Sequence, residues 1–585
     1  QRFSALTTPR ARARRSARVT NTPMHSALLG DITAPSPYTA HNRSGADPPA
    51  TLHETIHERR RTSGLTNDES CAASAYEEDL QSLREHGSSW GVFVADSFLL
   101  MFGGTQLGYA MGQMGWAWGS GWILYSAATT WVSGHLLGRL CLDTGAATYP
   151  ELGRAVLGRP GELLVSAMQW GGYYFTGVVQ IAYMGANYDL TFEGQPWTAG
   201  LCMWSWMLVT VGVVLPLLQV PSFSHFGKLA LAASLATVAS TAIYLGQILS
   251  HGRYTAGDGD VVGGVPVSVP CYDKWTTDSM LANVANIAFT FSGHGTFPEQ
   301  IREMREPRDF GKVSAGAILA RNSGAQFGRT SPTPSPMPTT QAFNVLYALA
   351  IPMYLCCAFL AFYAFGNMNS NNVTENLDDS TALHVSLYVS TLFGFPGFVL
   401  GQVVLMLKVE LGLGVRPTDW WRNAHHVGDH ATAAQRCLHP LPPALVRFGL
   451  RLLYLGSLLF FAEMLLGAGL ATYVNIAGSL GLAAMTYWLP YVLTLALKRG
   501  SISWGLALFY AANAAAGLFI SATGLYYNTA ALAETRGLRL FHEQSCKEGA
   551  HFWGDSMWDA TLANTSQAYQ TLVVGCCANG TTCGQ

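Results

Sequence analysis

Apolar windows of about 18–25 residues, the length that crosses about 30 Å of hydrocarbon, recur through the middle of this chain. Eleven are predicted, near 90–114, 118–140, 163–187, 198–219, 226–249, 278–303, 341–365, 382–407, 448–469, 473–497 and 503–526. The pattern predicts an all-α polytopic membrane protein. Polar segments interrupt or flank it. Residues 1–89 are rich in Arg, Ser, Thr, Pro and Ala and cannot bury enough apolar surface to fold, so a disordered tail is expected. The segment 313–340, ending Arg329-Thr-Ser-Pro-Thr-Pro-Ser-Pro-Met-Pro-Thr-Thr340, reads as a flexible inserted loop. Residues 527–585 form a second polar tail.

Two of the windows are broken at matching positions. In Ile287-Ala-Phe-Thr-Phe-Ser-Gly-His-Gly-Thr-Phe-Pro-Glu-Gln-Ile301 the sixth apolar run is cut by Gly293-His294-Gly295 and then Pro298. The first window carries Gly103, Gly104 and Gly108 near its centre. A broken helix frees backbone groups that lipid cannot satisfy, so such breaks persist where protein or a water-filled cavity surrounds them. One break alone is equally a kink, and glycines alone equally serve close helix packing. Breaks five spans apart are what two inverted five-helix repeats predict.

Composition and charge orient this scaffold. The 585 residues are 49% hydrophobic and 12% charged, which excludes an ordinary soluble domain, while the polar ends hold the mean hydropathy to +0.20. With the N-terminus in the cytoplasm, all but five of the 34 Lys and Arg fall on the cytoplasmic side, the exceptions being Arg253, Lys274, Arg536, Arg539 and Lys547. Six Arg and no acid in the first thirty residues also resemble a transit peptide, but a cytoplasmic tail is the preferred reading. The glycosylation sequons at Asn372, Asn564 and Asn579 all fall on the outer side; that at Asn42 lies in the N-terminal tail and is expected to be silent. Cys271, Cys546, Cys576, Cys577 and Cys583 face the same oxidising side and are the disulfide candidates, with pairing left open between two tail bridges and one bridge from Cys271 to the tail. His425, His426 and His430 read as solvent-exposed loop histidines rather than a metal site.

Several motifs carry a resemblance: Tyr109-Ala and Gly115-Trp in the first span; Tyr149-Pro-Glu-Leu-Gly153; Leu215-Pro-Leu-Leu-Gln-Val-Pro-Ser-Phe223; and Phe291-Ser-Gly-His-Gly-Thr-Phe-Pro-Glu-Gln-Ile-Arg-Glu-Met-Arg-Glu-Pro307, with Tyr363-Ala-Phe-Gly366 as a weaker fifth. Over about 90–526 the chain resembles the amino acid/auxin permease family, and its vacuolar-type and fungal or algal members more than the sodium-coupled animal ones. The resemblance implies an eleven-helix, leucine-transporter-like fold and symport of amino acids, commonly with protons. It also implies residence in the plasma or vacuolar membrane. Gly108 stands where relatives usually have Pro, and Gln106 where Gly is common, both at the implied binding loop.

A zwitterion needs its carboxylate met by positive partial charge and its ammonium by carbonyls, without fixed charges that hold it too tightly. The broken spans offer both. Gly103, Gly104, Thr105, Gln106 and Leu107 surround free N–H groups at a helix start; Phe289, Ser292 and Gly293 surround free carbonyls at a helix end. Ionisable side chains at membrane depth are costly and mark function: Asp96, His135, His294 and Glu463, with Glu299 at the inner end of the sixth span. His294 is the leading proton carrier, since an ordinary histidine titrates near 6.5; a neutral, helix-fixing role is its alternative. Asp96 reads as a cap or paired group near the cytoplasmic surface and Glu463 as paired or snorkelling, each also a proton-coupling candidate. Sodium coupling, uniport, an auxin-like substrate and a non-transporting receptor remain open. No motif calls for a cofactor, a resident metal, nucleic acid or catalysis; the expected partners are an amino acid, a coupling ion and the bilayer, and the expected unit is a monomer.

Overall fold

The computed structural model describes residues 88–534, apart from 102–103, 193–197, 199–200, 220–225, most of 253–274, 305–341, 378–379, 414, 416–441 and 466–469, together with 576–577. Apart from 88–89, 527–534 and the paired residues 576–577, both polar tails lie outside the described residues, as do the 313–340 segment, Gly103, Cys271, Cys546, Cys583, Asn564 and Asn579.

The first two apolar windows form α1 (Trp90–Met101), a 3-10 turn at Gly104–Gln106 and α2 (Leu107–Thr144). α2 turns sharply at Gly115, whose φ of 70° and ψ of 176° suit only glycine and whose hydrogen faces Trp275. α3 (Tyr149–Phe192) bends in the same way at Gly158, just before Pro160. There follow α4 (Met203–Leu218), α5 (Gly227–His251), α6 (Thr277–Thr290), a 3-10 turn at His294–Thr296, α7 (Phe297–Glu303), α8 (Ala342–Phe365) and α9 (Thr381–Gly412). The rest are α10 (Pro443–Leu465), α11 (Leu470–Ala477), α12 (Leu489–Leu497) and α13 (Trp504–Glu534). Wide π turns over Gly478–Leu482 and Ala484–Trp488 join α11 to α12.

Among the described residues six helices are long and apolar enough to cross a membrane, and the bent pair Ala471–Leu482 and Ala484–Leu497, at 41°, makes a seventh if it is one span. The protein is an all-helical multi-span membrane protein with interrupted helices. Leu163, Leu235, Leu392 and Leu453 stand more than half exposed on helix faces that lipid would cover, whereas Gln169, Asn286, His294 and Gln402 are almost wholly buried. That inversion is what a bilayer solvent selects. α9 packs along α5 and α3, α8 along α2, and α13 along α6. Between α5 and α6, β1 (Val261–Val262) pairs with β2 (Val265–Pro266), and β3 (Ser268–Val269) pairs antiparallel with β4 (Cys576–Cys577). The C-terminal segment thus meets the loop between α5 and α6.

Candidate functional site

The 3-10 turns at 104–106 and 294–296 mark where the two predicted breaks occur, and the breaks abut. Gly293 lies so close to Met101 that a Cβ there would stand 2.5 Å from Met101 Cγ, and a Cβ at Gly295 would meet Met485 and Tyr173 at 2.7 Å. Tyr354 of α8 serves both breaks with one hydroxyl: it donates to the carbonyl of Met101 at the end of α1 and lies 3.4 Å from that of Thr290 at the end of α6. A hydroxyl has one proton to give, so this side chain couples the ends of the two half-helices.

A cavity of about 140 Å³ opens beside the breaks. Its wall includes Leu99, Met101, Thr105 and Gln106 from the first break, Phe289 and Ser292 from the second, Tyr173 and Gln180 from α3, Thr241 from α5, and Ser390 and Gly397 from α9. Among the described residues no Asp, Glu, Lys, Arg or His lines it. Polarity comes from hydroxyls and amides, and the buried Oε1 atoms of Gln106 and Gln180 have no hydrogen-bond partner. No side chain caps α2, whose N-cap is Gln106, and the 3-10 turn at Gly104–Gln106 runs directly into it.

Of the residues the sequence offers for substrate binding, Thr105, Gln106, Phe289 and Ser292 line the cavity, while Gly104, Leu107 and Gly293 lie at the breaks without lining it. One expectation needs correction. The carbonyl of Phe289 is not open, because Ser292 donates to it from its backbone N, at 3.1 Å, and from Oγ.

The ionisable candidates also depart from expectation. His294 is fully buried and does not line the cavity; its ring is tilted against Phe297 with centroids 4.7 Å apart, and its Nε2 lies 2.9 Å from the carbonyl of Thr130. A carbonyl only accepts, so Nε2 carries the proton and Nδ1, which has no partner, holds the lone pair. His135 likewise donates from Nε2 to Asn344 Oδ1 at 3.1 Å. Asp96 lies inside α1 rather than at a cap and is not paired with a cation among the described residues: it is 2% exposed and its Oδ1 has no partner. Glu463 is buried near the end of α10 with both oxygens unpartnered rather than snorkelling.

Asn372 is corrected too. Its Nδ2, the atom that would carry a glycan, is buried and donates to Asn187 Oδ1 at 3.2 Å, leaving no room for a sugar in this conformation. Cys202, not among the predicted cysteines, is disulfide-bonded, and Cys141, Cys356 and Cys357 are free. Cys576 and Cys577 are described only as strand backbone.

Distant motifs converge on Glu299. Its Oε1 accepts from the backbone N of Tyr149 at 3.2 Å and from Gln169 Nε2 at 3.0 Å, and the same Nε2 lies 2.7 Å from the carbonyl of Gly295. Tyr149 in turn donates to the carbonyl of Met485 at 2.8 Å. The 149–153 and 291–307 motifs thus share one buried network that braces the second break against α3 and the π segment. Residues 101–321 and 329–532 match the family described as transmembrane amino acid transporter protein. This chain belongs to that family.

Among the curated relatives of this transporter family member, the amino acid transporter AVT1E of Arabidopsis thaliana is 23% identical over 52% of this chain and 50% of its own length. AVT1B of the same plant is 24% identical over 47% of this chain and 44% of its own length, and AVT1H 25% over 46% and 59%. The chain spans about half the length of the curated relatives it matches. The matched family is one of transporters rather than enzymes.

Proposed function

We propose that this protein carries amino acids across its membrane by alternating access, in symport with protons. The fold we infer has eleven spans in two inverted five-helix repeats, α1 with the start of α2 forming the interrupted first span and α6 with α7 the interrupted sixth. The observation that carries the reading is the cavity bounded by both breaks, walled by amides, hydroxyls and aromatic rings and free of fixed charge. A zwitterion is satisfied by opposed dipoles at such a place, the start of α2 for the carboxylate and amide oxygens such as those of Gln106 and Gln180 for the ammonium. The relatives' names, each an amino acid transporter, support the substrate class.

Reconstituted protein given amino acids one at a time, with pH and Na⁺ varied separately, tests this reading. Substrate-induced current that follows the proton gradient and ignores sodium is expected. A current that requires sodium, or flux with no current and no proton movement, refutes proton symport.

A further inference from the structure

Several hydroxyls on the cavity wall give their protons to the protein itself. Thr176 Oγ1 donates to the carbonyl of Gly172 at 2.8 Å on α3, Thr241 Oγ1 to that of Thr237 at 2.8 Å on α5, and Ser390 Oγ to that of Leu387 at 3.0 Å on α9. Thr374 Oγ1 donates to Asn372 Oδ1 at 2.9 Å, and Ser240 Oγ bonds to Ser386. A hydroxyl has one proton and two lone pairs. Once the proton is committed to the preceding turn of its own helix, what the group offers a ligand is acceptor capacity. Gln106 and Gln180 add two more acceptors, Oε1 atoms buried without a partner.

Thr176, Thr241 and Ser390 stand on three helices that pack together, α9 lying along α5 and α3, and complete the wall beyond the two breaks. Val179, Met184 and Phe393 lie on the same helices and suit the methylene part of any side chain. The hydroxyls discriminate by what reaches them. An aliphatic side chain covers their oxygens and gives nothing back, and a site built to bond a ligand's N–H or O–H rejects the analogue that lacks it. A carboxylate brings acceptors to acceptors, with no Lys, Arg or His lining the cavity among the described residues. A cationic side chain loses its hydration and meets no carboxylate there. An uncharged donor avoids all three costs.

We propose that the cavity selects amino acids whose uncharged side chains donate hydrogen bonds, carboxamides and hydroxyls, over aliphatic, acidic and basic ones, with Thr176, Thr241 and Ser390 as the specificity-determining residues. The proposal rests on the transport reading above and concerns the side-chain end of the same cavity. The substrate ammonium takes the amide oxygens of Gln106 and Gln180, and the side chain gives its N–H or O–H to the three hydroxyl oxygens. A carboxamide also carries an acceptor, which a glutamine N–H of the wall answers.

The test uses full-length protein in liposomes preloaded with asparagine or leucine, and follows entry of the same amino acid labelled with tritium. Exchange needs no ion gradient, so the result does not depend on the coupling ion. Unlabelled leucine, aspartate and lysine compete against labelled asparagine, and valine against threonine, pairs of similar size that differ in the donor. Leucine, aspartate and lysine are each expected to need at least about tenfold more than asparagine for half-inhibition, and valine about tenfold more than threonine. Thr241→Val and Ser390→Ala, on different helices, are each expected to lower the preference for asparagine over leucine about threefold or more. A merely structural role weakens both substrates together and leaves that ratio unchanged; if one variant does not fold, the other decides. Leucine, aspartate or lysine as effective as asparagine, or an unchanged ratio in the folded variants, overturns the assignment while exchange itself upholds the transport reading. Absence of exchange of every amino acid by wild-type protein overturns the transport reading and the assignment with it, so the two failures are distinguishable.

Discussion

Gly293 packs directly on Met101, so the two interrupted helices touch at their breaks. A methyl at 293 would meet Met101 Cγ at 2.5 Å, too close for anything but displacement of one break from the other. Overpacking of this kind costs about 1–3 kcal/mol. Gly293→Ala is expected to raise the substrate concentration for half-maximal transport about tenfold or more, since 1.4 kcal/mol is a factor of ten. Shortening the opposing side chain in Gly293→Ala/Met101→Ala should recover part of the loss. Transport assays with surface expression held equal check both; a double variant as impaired as the single one would rule out the steric explanation.

His294 tests whether a titratable side chain at the break is a proton carrier or a brace. Its Nε2 supports the carbonyl of Thr130, and that residue's Oγ1 accepts from Tyr347 at 2.8 Å, so the imidazole belongs to a junction of α2, α8 and the second break. His294→Gln keeps a donor for the carbonyl and cannot titrate near neutrality. It is expected to retain pH-driven accumulation within about threefold, a loss below 1 kcal/mol. His294→Ala removes both the donor and the ring beside Phe297, and leaving a buried carbonyl unpaired costs about 1–3 kcal/mol. Exchange and accumulation should then fall together. Loss of accumulation with intact exchange in the Gln variant would return the proton to the imidazole.

The breaks were legible in the sequence because glycine and proline are local signals, and four residues beside them, Thr105, Gln106, Phe289 and Ser292, line the cavity. The rest of the wall left no such mark. Tyr173, Gln180, Thr241 and Ser390 sit within continuous helices, where only the three-dimensional packing tells a cavity-facing position from a lipid-facing one. The same gap explains Asp96, which is buried without a cation among the described residues, contrary to the pairing expected of a buried acid. The π turns between α11 and α12 were hidden for another reason: an apolar window fixes the length of a span but not the register of its hydrogen bonds.

Asn372 separates sequence motif from accessible site. Its amide is buried 3.2 Å from Asn187, and its Oδ1 accepts from Thr374, the sequon's own hydroxyl, at 2.9 Å. Asn372→Gln is expected to leave the electrophoretic mobility unchanged, whereas replacing Asn564 and Asn579 together should remove any glycosidase-sensitive shift if the tail faces the lumen or exterior. Gel mobility before and after glycosidase treatment reads both. A shift lost in Asn372→Gln would mean that this loop is modified before it packs.

Glu410 near the end of α9 and Arg447 and Arg451 of α10 are all buried. Glu410 accepts from Arg447 Nε at 3.0 Å and from Arg451 Nε at 2.6 Å, and Arg451 also donates to the carbonyl of Leu218 at the end of α4. The cluster clamps α9, α10 and α4 at one end. Removing one member of a buried ionic group costs about 3–5 kcal/mol, because the groups left behind lose a partner, while replacing the whole group with apolar side chains of similar volume is often neutral. Arg451→Met is therefore expected to lower thermal stability sharply, and Glu410→Leu/Arg447→Met/Arg451→Met to regain most of it. Unfolding temperature in detergent, followed by size-exclusion chromatography, measures the contrast. If the triple variant proves less stable than Arg451→Met, the arginines hold α10 through contacts other than Glu410 and the carbonyl of Leu218, and the clamp is not ionic in origin.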